Sequence, residues 1–299
     1  MKPETRSFYQ QGAQRVIERI ARNLDEALNL ETLAALAHLS PFHFHRVFRG
    51  MVGETALELS RRLRMERAAW MLISSERPIT EIAFDAGYET HEAFTRAFRD
   101  CYATSPSGFK QRKHPRIELA ATCGVHFNPN GDVPAFIPRD SGGRTMKVEI
   151  AEYPELRVAT VRHMGPYNQI PQAFERLGAL VEPAGLLQHP GAAMVAIYHD
   201  DPETTPLDAL RSDAGIVVPH DIPLPQGLQE QRVSAGRYAS TTHVGPYQTL
   251  GDTWARFMGE WLPSSGHRLG RGASYEVYRN TPLNAAPREL RTELFIPLE

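Results

Sequence analysis

Arginine, histidine and short polar side chains recur in two segments, residues 42–49 and 91–99. Each segment carries two phenylalanines four residues apart, which predicts the buried face of a helix. The opposite faces present side chains that can reach base edges and phosphates from the major groove of DNA. We therefore predict DNA contacts for Phe42, His43, His45, Arg46 and Arg49 in the first helix, and for His91, Glu92, Thr95, Arg96 and Arg99 in the second.

Some of these side chains allow a second interpretation. His43 and His45 could suggest a metal site. They cannot share a metal ion, however, because residues two positions apart lie about 200° apart around a helix. Glu92 could accept a hydrogen bond from a cytosine amino group, or it could stabilise the start of its own helix. Arg46 and Arg96 occupy matching positions in the two segments and are the strongest candidates for DNA contact.

The two segments belong to a longer internal repeat. LETLAALAHLSPFHFHRVFR (residues 30–49) aligns with ITEIAFDAGYETHEAFTRAFR (residues 79–99). Each copy predicts a short helix, a tight turn and a second helix, which is the pattern of a helix-turn-helix unit. Gly87 supplies the turn in the second copy, whereas the first copy has His38 there and a helix cap at Ser40.

Residues 56–75, ALELSRRLRMERAAWMLISS, separate the two copies and predict one long helix. Its apolar side chains can contact both units and hold them at a fixed spacing. The run Arg61-Arg62-x-Arg64 on this helix has two interpretations, a phosphate contact or an ordinary solvated face.

The composition limits the class of protein. The chain has 299 residues, the size of two ordinary domains, and is 41% apolar and 23% charged. Its two cysteines are too few for a disulfide framework. No apolar run approaches the roughly 20 residues of a membrane span, and the first residues lack the apolar core of a secretory signal. We therefore expect a cytoplasmic protein with no membrane partner.

The net charge of −2 hides a difference between the two halves. Residues 1–116 contain 18 basic and 14 acidic residues, a net charge of +4. Residues 117–299 contain 15 basic and 21 acidic residues, a net charge of −6. A basic half suits a polyanion such as DNA, so the two halves must be interpreted separately.

A segment rich in turn-forming residues divides the chain. We predict a linker over residues 114–145, with a short strand at residues 116–121, because Gly, Pro, Asn and Asp interrupt any regular period after that point. Downstream, strand-like runs alternate with two helical stretches. The predicted strands are residues 146–151, 157–163, 194–198, 238–243 and 294–298.

The C-terminal half also repeats itself. RVATVRHMGPYNQIPQAFERL (residues 157–177) matches RYASTTHVGPYQTLGDTWARF (residues 237–257), and both contain His-x-Gly-Pro-Tyr. Each copy predicts a strand, a turn and an amphipathic helix. The fold class is therefore multidomain, with an all-α N-terminal double helix-turn-helix domain and an α+β C-terminal domain of two pseudo-symmetric strand-helix-strand repeats.

Residues 7–113 resemble the DNA-binding domain of the AraC/XylS family of bacterial transcription regulators. The resemblance rests on LAALAHLSPFHFHRVFR and on RLRMERAAWMLISSERPITEIAFDAGYETHEAFTRAFRDCYATSPSGFKQR. It implies two helix-turn-helix units, about residues 30–50 and 79–100, whose recognition helices enter successive major-groove segments. The first unit departs from the family pattern at His38-Leu39, where Gly-Tyr or Gly-Met is common.

Residues 146–299 resemble the GyrI-like small-molecule-binding domain, on the paired His-x-Gly-Pro-Tyr segments and on Tyr275-Glu276-Val277-Tyr278. The resemblance implies an aromatic groove between the repeats with a carboxylate that favours cationic or amphiphilic ligands. Charge and cation–π attraction would hold such a ligand. The predicted ligand-binding residues are Glu276, Tyr278, Trp254, Tyr247 and Tyr167.

Packing roles compete with ligand contact for several of these residues. Trp254 and Trp261 lie one heptad apart and are equally suited to a core. Tyr167 and Tyr247 fit the structural turn, and the histidines of the repeated motif fit packing, since no Ser, Cys or Asp stands at a spacing that suggests a nucleophile.

The sequence thus predicts a sequence-specific transcription regulator with a sensing domain. Its partners are double-stranded promoter DNA, a small-molecule effector and, as a candidate, RNA polymerase. It predicts no cofactor, metal or catalytic site. Two alternatives remain for the C-terminal half: a small-molecule hydrolase with Glu276 as general base, or an interaction module without a ligand.

Overall fold

The computed structural model describes residues 3–139, 146–200 and 205–299, apart from the side chains of residues 3, 4 and 42. The described residues form two compact units: an N-terminal unit of residues 7–139, and a C-terminal unit of residues 146–200 and 205–299, with which residues 3–6 are grouped. The N-terminal unit is helical, and its first helix belongs to it from residue 7 onward. Its helices are α1 (Pro3–Arg22), α2 (Leu30–Leu36), α3 (Pro41–Val52), α4 (Ala56–Ser74), α5 (Ile79–Asp85), α6 (His91–Tyr102) and α7 (Pro106–Lys110).

The two helix-turn-helix units are α2–α3 and α5–α6, as predicted. The side chains of Ser40 and Thr90 accept the backbone N–H groups that begin α3 and α6. Gly87 forms the second turn with φ +86°. His38 adopts φ +57° in the first turn, a conformation that disfavours side chains other than glycine. Although His38 replaces the usual glycine, the backbone at this turn is left-handed, as it is at Gly87 in the second unit.

Helix α4 occupies the predicted place between the two units. A capping box of Thr55 and Glu58 fixes its start. Its buried residues Met65, Ala68 and Leu72 pack in one core with the aromatic rings of the second unit. The long helix thus forms the scaffold of the second unit. Its predicted packing against the first unit as well is not part of this core.

The predicted strand at residues 116–121 is wrong. Residues 117–139, which we call the strap, contain no helix or strand and instead pack against the helices of the N-terminal unit. Their backbone groups bond to side chains of the helices rather than to a neighbouring strand. Residues 140–145 of the predicted linker lie outside the described residues.

The C-terminal unit contains one eight-stranded antiparallel sheet with the order β1-β6-β8-β7-β3-β4-β2-β5. The strands are β1 (Glu149–Tyr153), β2 (Leu156–Met164), β3 (Met194–Tyr198), β4 (Arg211–Val217), β5 (Gln229–Val233), β6 (Gly236–Val244), β7 (Tyr275–Tyr278) and β8 (Arg291–Pro297). The helices are α8 (Pro171–Val181), α9 (Leu250–Arg256) and α10 (Leu262–Ser265), with a π-helical turn at Phe257–Trp261 between the last two.

The strand order confirms the two pseudo-symmetric repeats. β1, β2, β3 and β4 of the first repeat correspond to β5, β6, β7 and β8 of the second, so the order of equivalent strands reads the same from both edges. β7 and β3 therefore meet at the centre, where Glu276 pairs with Ala196 in register. β4, β5 and β7 were absent from the predicted strands. β4 is buried without alternation, β5 is a short polar edge strand and β7 has only four residues.

No helix in the described part of the chain is long and apolar enough to cross a membrane. Among the same residues, no group of three or more His, Cys, Asp or Glu side chains is placed to hold a metal ion.

Candidate nucleic-acid interface and small-molecule site

Helix α6 presents a basic face to solvent. Phe94 and Phe98 are fully buried. Of the five residues of the predicted face, Thr95 is half-buried and the other four are exposed: His91, Glu92, Arg96 and Arg99. The two arginines form no ion pair within the described residues, so their guanidinium groups remain available for an external anion.

Helix α3 presents a narrower face than predicted. Arg49 is exposed and Arg46 is half-buried, whereas His43 and His45 are buried. The predicted exposure of the two histidines is therefore wrong. The side chain of Phe42 lies outside the described residues.

His43 and His45 are buried because the buried face of α3 is wide enough to include them. His43 precedes the buried Val47 by one turn, and His45 precedes the buried Val52 by two turns. Nδ1 of His43 lies 3.0 Å from the Oγ of Ser40, the residue that caps the helix. Both imidazoles therefore extend the buried face, and the exposed face of α3 narrows accordingly.

Burial also sets the charge of these histidines. Burial, with the positive charge of Arg46, lowers the pKa of His43 to about 4. Burial, with Arg46 and Arg49, lowers the pKa of His45 to about 3. Both imidazoles are neutral at pH 7, so neither adds to the positive charge of α3.

Because His43 and His45 have lowered pKa values, we predict that the stability of the fold decreases at acidic pH. Between pH 6.5 and 4 the unfolded chain takes up protons that the folded chain cannot, so the free energy of unfolding falls as the pH falls. Each histidine contributes up to about 1.4 kcal/mol per pH unit. Urea unfolding from pH 7 to 5 should show this slope, and His45→Gln should flatten it. An equal flattening by His91→Gln, at an exposed site, would contradict this account.

The three arginines of the run on α4, Arg61, Arg62 and Arg64, differ in their contacts. Two of them bind other groups of the protein, and one is exposed. Arg62 is half-buried and its guanidinium pairs with the carboxylates of Glu54 and Glu66, at 2.6 and 3.1 Å. Arg64 donates hydrogen bonds to backbone carbonyls near the end of α1. Arg61 is exposed and forms no ion pair within the described residues. Arg61 is therefore the member of this run whose guanidinium is available for an external anion.

Arg61→Ala should weaken DNA binding equally at all sequences. An exposed guanidinium on the helix between the two recognition units is suited to a phosphate, and each phosphate neutralised adds about 0.9 to the salt slope of log affinity. Titrations at several salt concentrations should show that decrease in slope. Arg77→Ala is the matched control, since Arg77 is exposed but already paired with Glu81 and Asp85. A slope unchanged by Arg61→Ala would exclude the contact.

The central carboxylate of the C-terminal unit is Glu276 on β7. Glu276 is 2% exposed. Its Oε1 accepts a hydrogen bond from Nε1 of Trp254 at 2.7 Å. Its Oε2 accepts hydrogen bonds from the hydroxyls of Tyr278 at 2.7 Å and Tyr198 at 3.1 Å. Three neutral donors from α9, β7 and β3 therefore converge on one carboxylate.

No Lys, Arg or His of the described residues pairs with Glu276. A buried carboxylate ordinarily has a cationic partner. Here the carboxyl group is held by hydrogen bonds from neutral donors alone. A bound cation would therefore meet no competing cationic side chain of the described residues at this site.

Aromatic rings from both repeats surround this carboxylate. The ring of Tyr278 packs edge-on against Phe174 and Tyr247, with centroid distances of 5.4 and 5.5 Å. The ring of Tyr198 packs against Tyr167 at 4.8 Å. The structure thus brings the five predicted ligand-binding residues into one cluster with two aromatic residues that the sequence interpretation missed.

Tyr198 could have been found from the repeat. The interval in the chain from Tyr198 to Tyr278 equals the interval that relates His163 to His243. Phe174 and Trp254 are related by the same interval. The two repeats differ at the centre, where Ala196 stands at the position of Glu276, so only one repeat supplies a charge.

The hydroxyls of Tyr167 and Tyr247 support the turns of the repeat as well. Tyr167 donates a hydrogen bond to the carbonyl of Asp200, and Tyr247 donates one to the carbonyl of Asn280 at 3.5 Å. Their rings therefore face the cluster while their hydroxyls hold the loops. Trp261 packs against Phe257, away from these contacts.

Burial alters the acidity of the phenols. Burial and the neighbouring Glu276 carboxylate raise the pKa of Tyr278 well above its ordinary value. The same two causes raise the pKa of Tyr247. Both phenols therefore remain protonated at neutral pH, and Tyr278 donates to the carboxylate.

Comparison with known proteins gives two separate matches. A family model described as a GyrI-like small molecule binding domain matches residues 146–299, and a helix-turn-helix domain model matches residues 33–112. The chain is 34% identical to a DNA gyrase inhibitor of Yersinia enterocolitica over 140 residues, 45% of this chain and 87% of the relative. It is 36% identical to the regulatory protein SoxS of Salmonella typhimurium over 104 residues, 35% of this chain and 97% of the relative.

Among solved structures, the chain is similar to the C-terminal domain of EcmrR. The two are 22% identical, with a TM-score of 0.43, and the match covers 52% of this chain and 98% of that chain.

Proposed function

Since this chain belongs to the AraC/XylS type of helix-turn-helix regulators and carries a GyrI-like small-molecule-binding domain, we propose that it is an effector-responsive transcription regulator. Its N-terminal unit binds double-stranded promoter DNA in the cytoplasm, with RNA polymerase as a further partner. Its C-terminal unit binds a small lipophilic cation.

The DNA-binding part of the proposal is supported by the exposed faces of the two recognition helices. Arg96 and Arg99 on α6 and Arg49 on α3 are exposed. Arg46 occupies on α3 the place of Arg96 on α6. Arginine is the side chain best suited to guanine in the major groove. Two units in one chain can bind two successive segments without a dimer.

The effector part rests on one observation: Glu276 is buried and has no cationic partner among the described residues. A lipophilic cation supplies the missing positive charge and packs its apolar groups against the surrounding rings. The proposed contacts are Glu276, Tyr278, Trp254, Tyr247 and Tyr167, to which we add Tyr198 and Phe174.

Hydrolysis is the less favoured use of this site. A general base needs a lone pair directed at a water or a substrate. Three protein donors already fill most of the roughly four acceptor sites of the Glu276 carboxyl group, and the raised pKa of Tyr278 makes its phenol a poor nucleophile. The carboxylate is therefore better suited to attract a charge than to take a proton.

Selection of bound DNA from a random pool by the purified full-length protein tests the DNA-binding proposal. We expect a site of two short segments about one helical turn apart. Recovery of DNA without any shared sequence would contradict specific recognition. Calorimetry with tetraphenylphosphonium tests the effector site separately, and tetraphenylborate, of the same shape but negative charge, is its control.

A further inference from the structure

The strap, residues 117–139, has no counterpart in either family match, since these cover residues 33–112 and 146–299. We propose that the strap holds the two recognition helices at a fixed distance and thereby sets the spacing of the two DNA segments that the protein accepts. The inference rests on the DNA-binding function proposed above. It concerns residues that position the DNA-reading helices and do not themselves contact DNA.

The first anchor of the strap is the carboxylate of Glu66 on α4, which is fully buried. The backbone N–H of Leu119 donates to Oε1 at 3.0 Å, and the N–H of Phe127 donates to Oε2 at 2.8 Å. Nδ1 of His126 lies 2.9 Å from Oε1. One side chain of the scaffold helix therefore holds the strap at two separate places.

The second anchor is the guanidinium of Arg62, one turn before Glu66. It pairs with the carboxylates of both Glu54 and Glu66 and donates to the carbonyl of Val125 at 2.9 Å. The buried thiol of Cys123 donates to Oε1 of Glu54 at 3.3 Å. Loss of one member leaves an uncompensated buried charge, so this network resists partial opening.

The strap also contacts the ends of both recognition helices. The hydroxyl of Tyr102, the last residue of α6, donates to the carbonyl of Ile117 at 2.6 Å. The hydroxyl of Thr122 donates to the carbonyl of Val52, the last residue of α3, at 3.1 Å. The N–H of Arg139 donates to the carbonyl of Met51 at 2.7 Å. The segment therefore begins at the end of α6 and finishes at the end of α3.

The approach of the strap to α3 is close enough to require a glycine. Gly53 follows α3 with φ +86°, and a Cβ there would lie 2.2 Å from Oγ1 of Thr122. Only a residue without a side chain leaves room for this contact. The strap and the end of α3 are therefore in close contact at this position.

These contacts add a second brace to the one that α4 provides. Recognition helices that enter successive major-groove segments must match the repeat of the duplex. A rigid pair of helices rejects DNA in which the two segments are shifted by one base pair, whereas a loosened pair tolerates the shift. The strap should therefore affect spacing preference more than it affects affinity for the best site.

The test uses the full-length protein and its selected DNA site, with one base pair inserted or removed between the two segments. For the wild type we expect the shift to weaken binding on the order of tenfold. Tyr102→Phe and Glu66→Gln should each reduce this penalty to about threefold or less. Glu81→Gln, on α5 and away from the strap, should retain the wild-type penalty.

Each outcome has a distinct meaning. Failure to select any site contradicts the proposed function, whereas a site with the same spacing penalty in all variants overturns the role of the strap. If Glu66→Gln does not fold, Tyr102→Phe decides, because it removes one hydroxyl only. Hydrogen exchange of the wild type gives a second readout: the amides of Leu119 and Phe127 should exchange as slowly as those of α4, and exchange at loop rates would overturn the inference.

Discussion

Glu276→Gln is expected to weaken the binding of tetraphenylphosphonium by roughly 10- to 100-fold, or about 1.4–2.8 kcal/mol. The substitution keeps the size of the side chain but removes the only charge of the aromatic cluster. It also replaces one acceptor oxygen by an amide group that cannot accept the hydrogen bonds of the surrounding donors. Calorimetry on the full-length protein measures the difference directly.

A matched substitution separates charge from general damage. Glu293 on β8 pairs with Arg279 and lies on the opposite face of the sheet, because its register partner Val277 alternates with Glu276. Glu293→Gln should therefore leave the affinity for the cation unchanged. An affinity equal to that of the wild type in Glu276→Gln would remove Glu276 from the site.

Arg96→Ala is expected to weaken specific DNA binding by roughly 1–3 kcal/mol and to relax one position of the site. Arg96 is exposed on the face of α6 opposite the buried Phe94 and Phe98. From such a face an arginine can bind both acceptors of a guanine. Competition binding with a panel of single-base variants measures both the affinity and the relaxed position.

Arg77→Ala again serves as the control, because its guanidinium is paired with carboxylates of its own unit. It should leave both the affinity and the base preference unchanged. If Arg96→Ala weakened binding by the same factor at every sequence, Arg96 would be a phosphate contact and the assigned role would be wrong.

The sequence was sufficient for the helix-turn-helix units but not for their exposed faces. The four-residue spacing of Phe94 and Phe98 correctly identified the buried face of α6. The same reasoning failed for His43 and His45, because a histidine fits both a buried and a DNA-facing position. Only the packing around α3 shows that its buried face is wide enough to include both.

In the C-terminal unit the repeat predicted the architecture but not the partners of the carboxylate. The constant interval between the two copies could identify equivalent positions, and it would have added Tyr198 to the candidates. The convergence of three donors on Glu276 depends on the pairing of β7 with β3. That pairing joins strands of different repeats, which lie far apart in the chain, and no local pattern encodes it.

The strap was the least predictable element. Its Gly, Pro, Asn and Asp content favours a flexible connection, and local composition carries no information about distant partners. Its order comes from Glu66 and Arg62, two charged residues in the middle of α4. On sequence alone, both resemble residues of a solvated helix face.

The most direct test of the account is the affinity of the full-length protein for its selected DNA site, measured with and without saturating tetraphenylphosphonium. We expect the affinity to change by at least about fivefold, and the affinity for the cation to change by the same factor when DNA is bound, as linkage requires. A cation that binds tightly yet leaves the DNA affinity unchanged would contradict a regulator that couples sensing to DNA recognition.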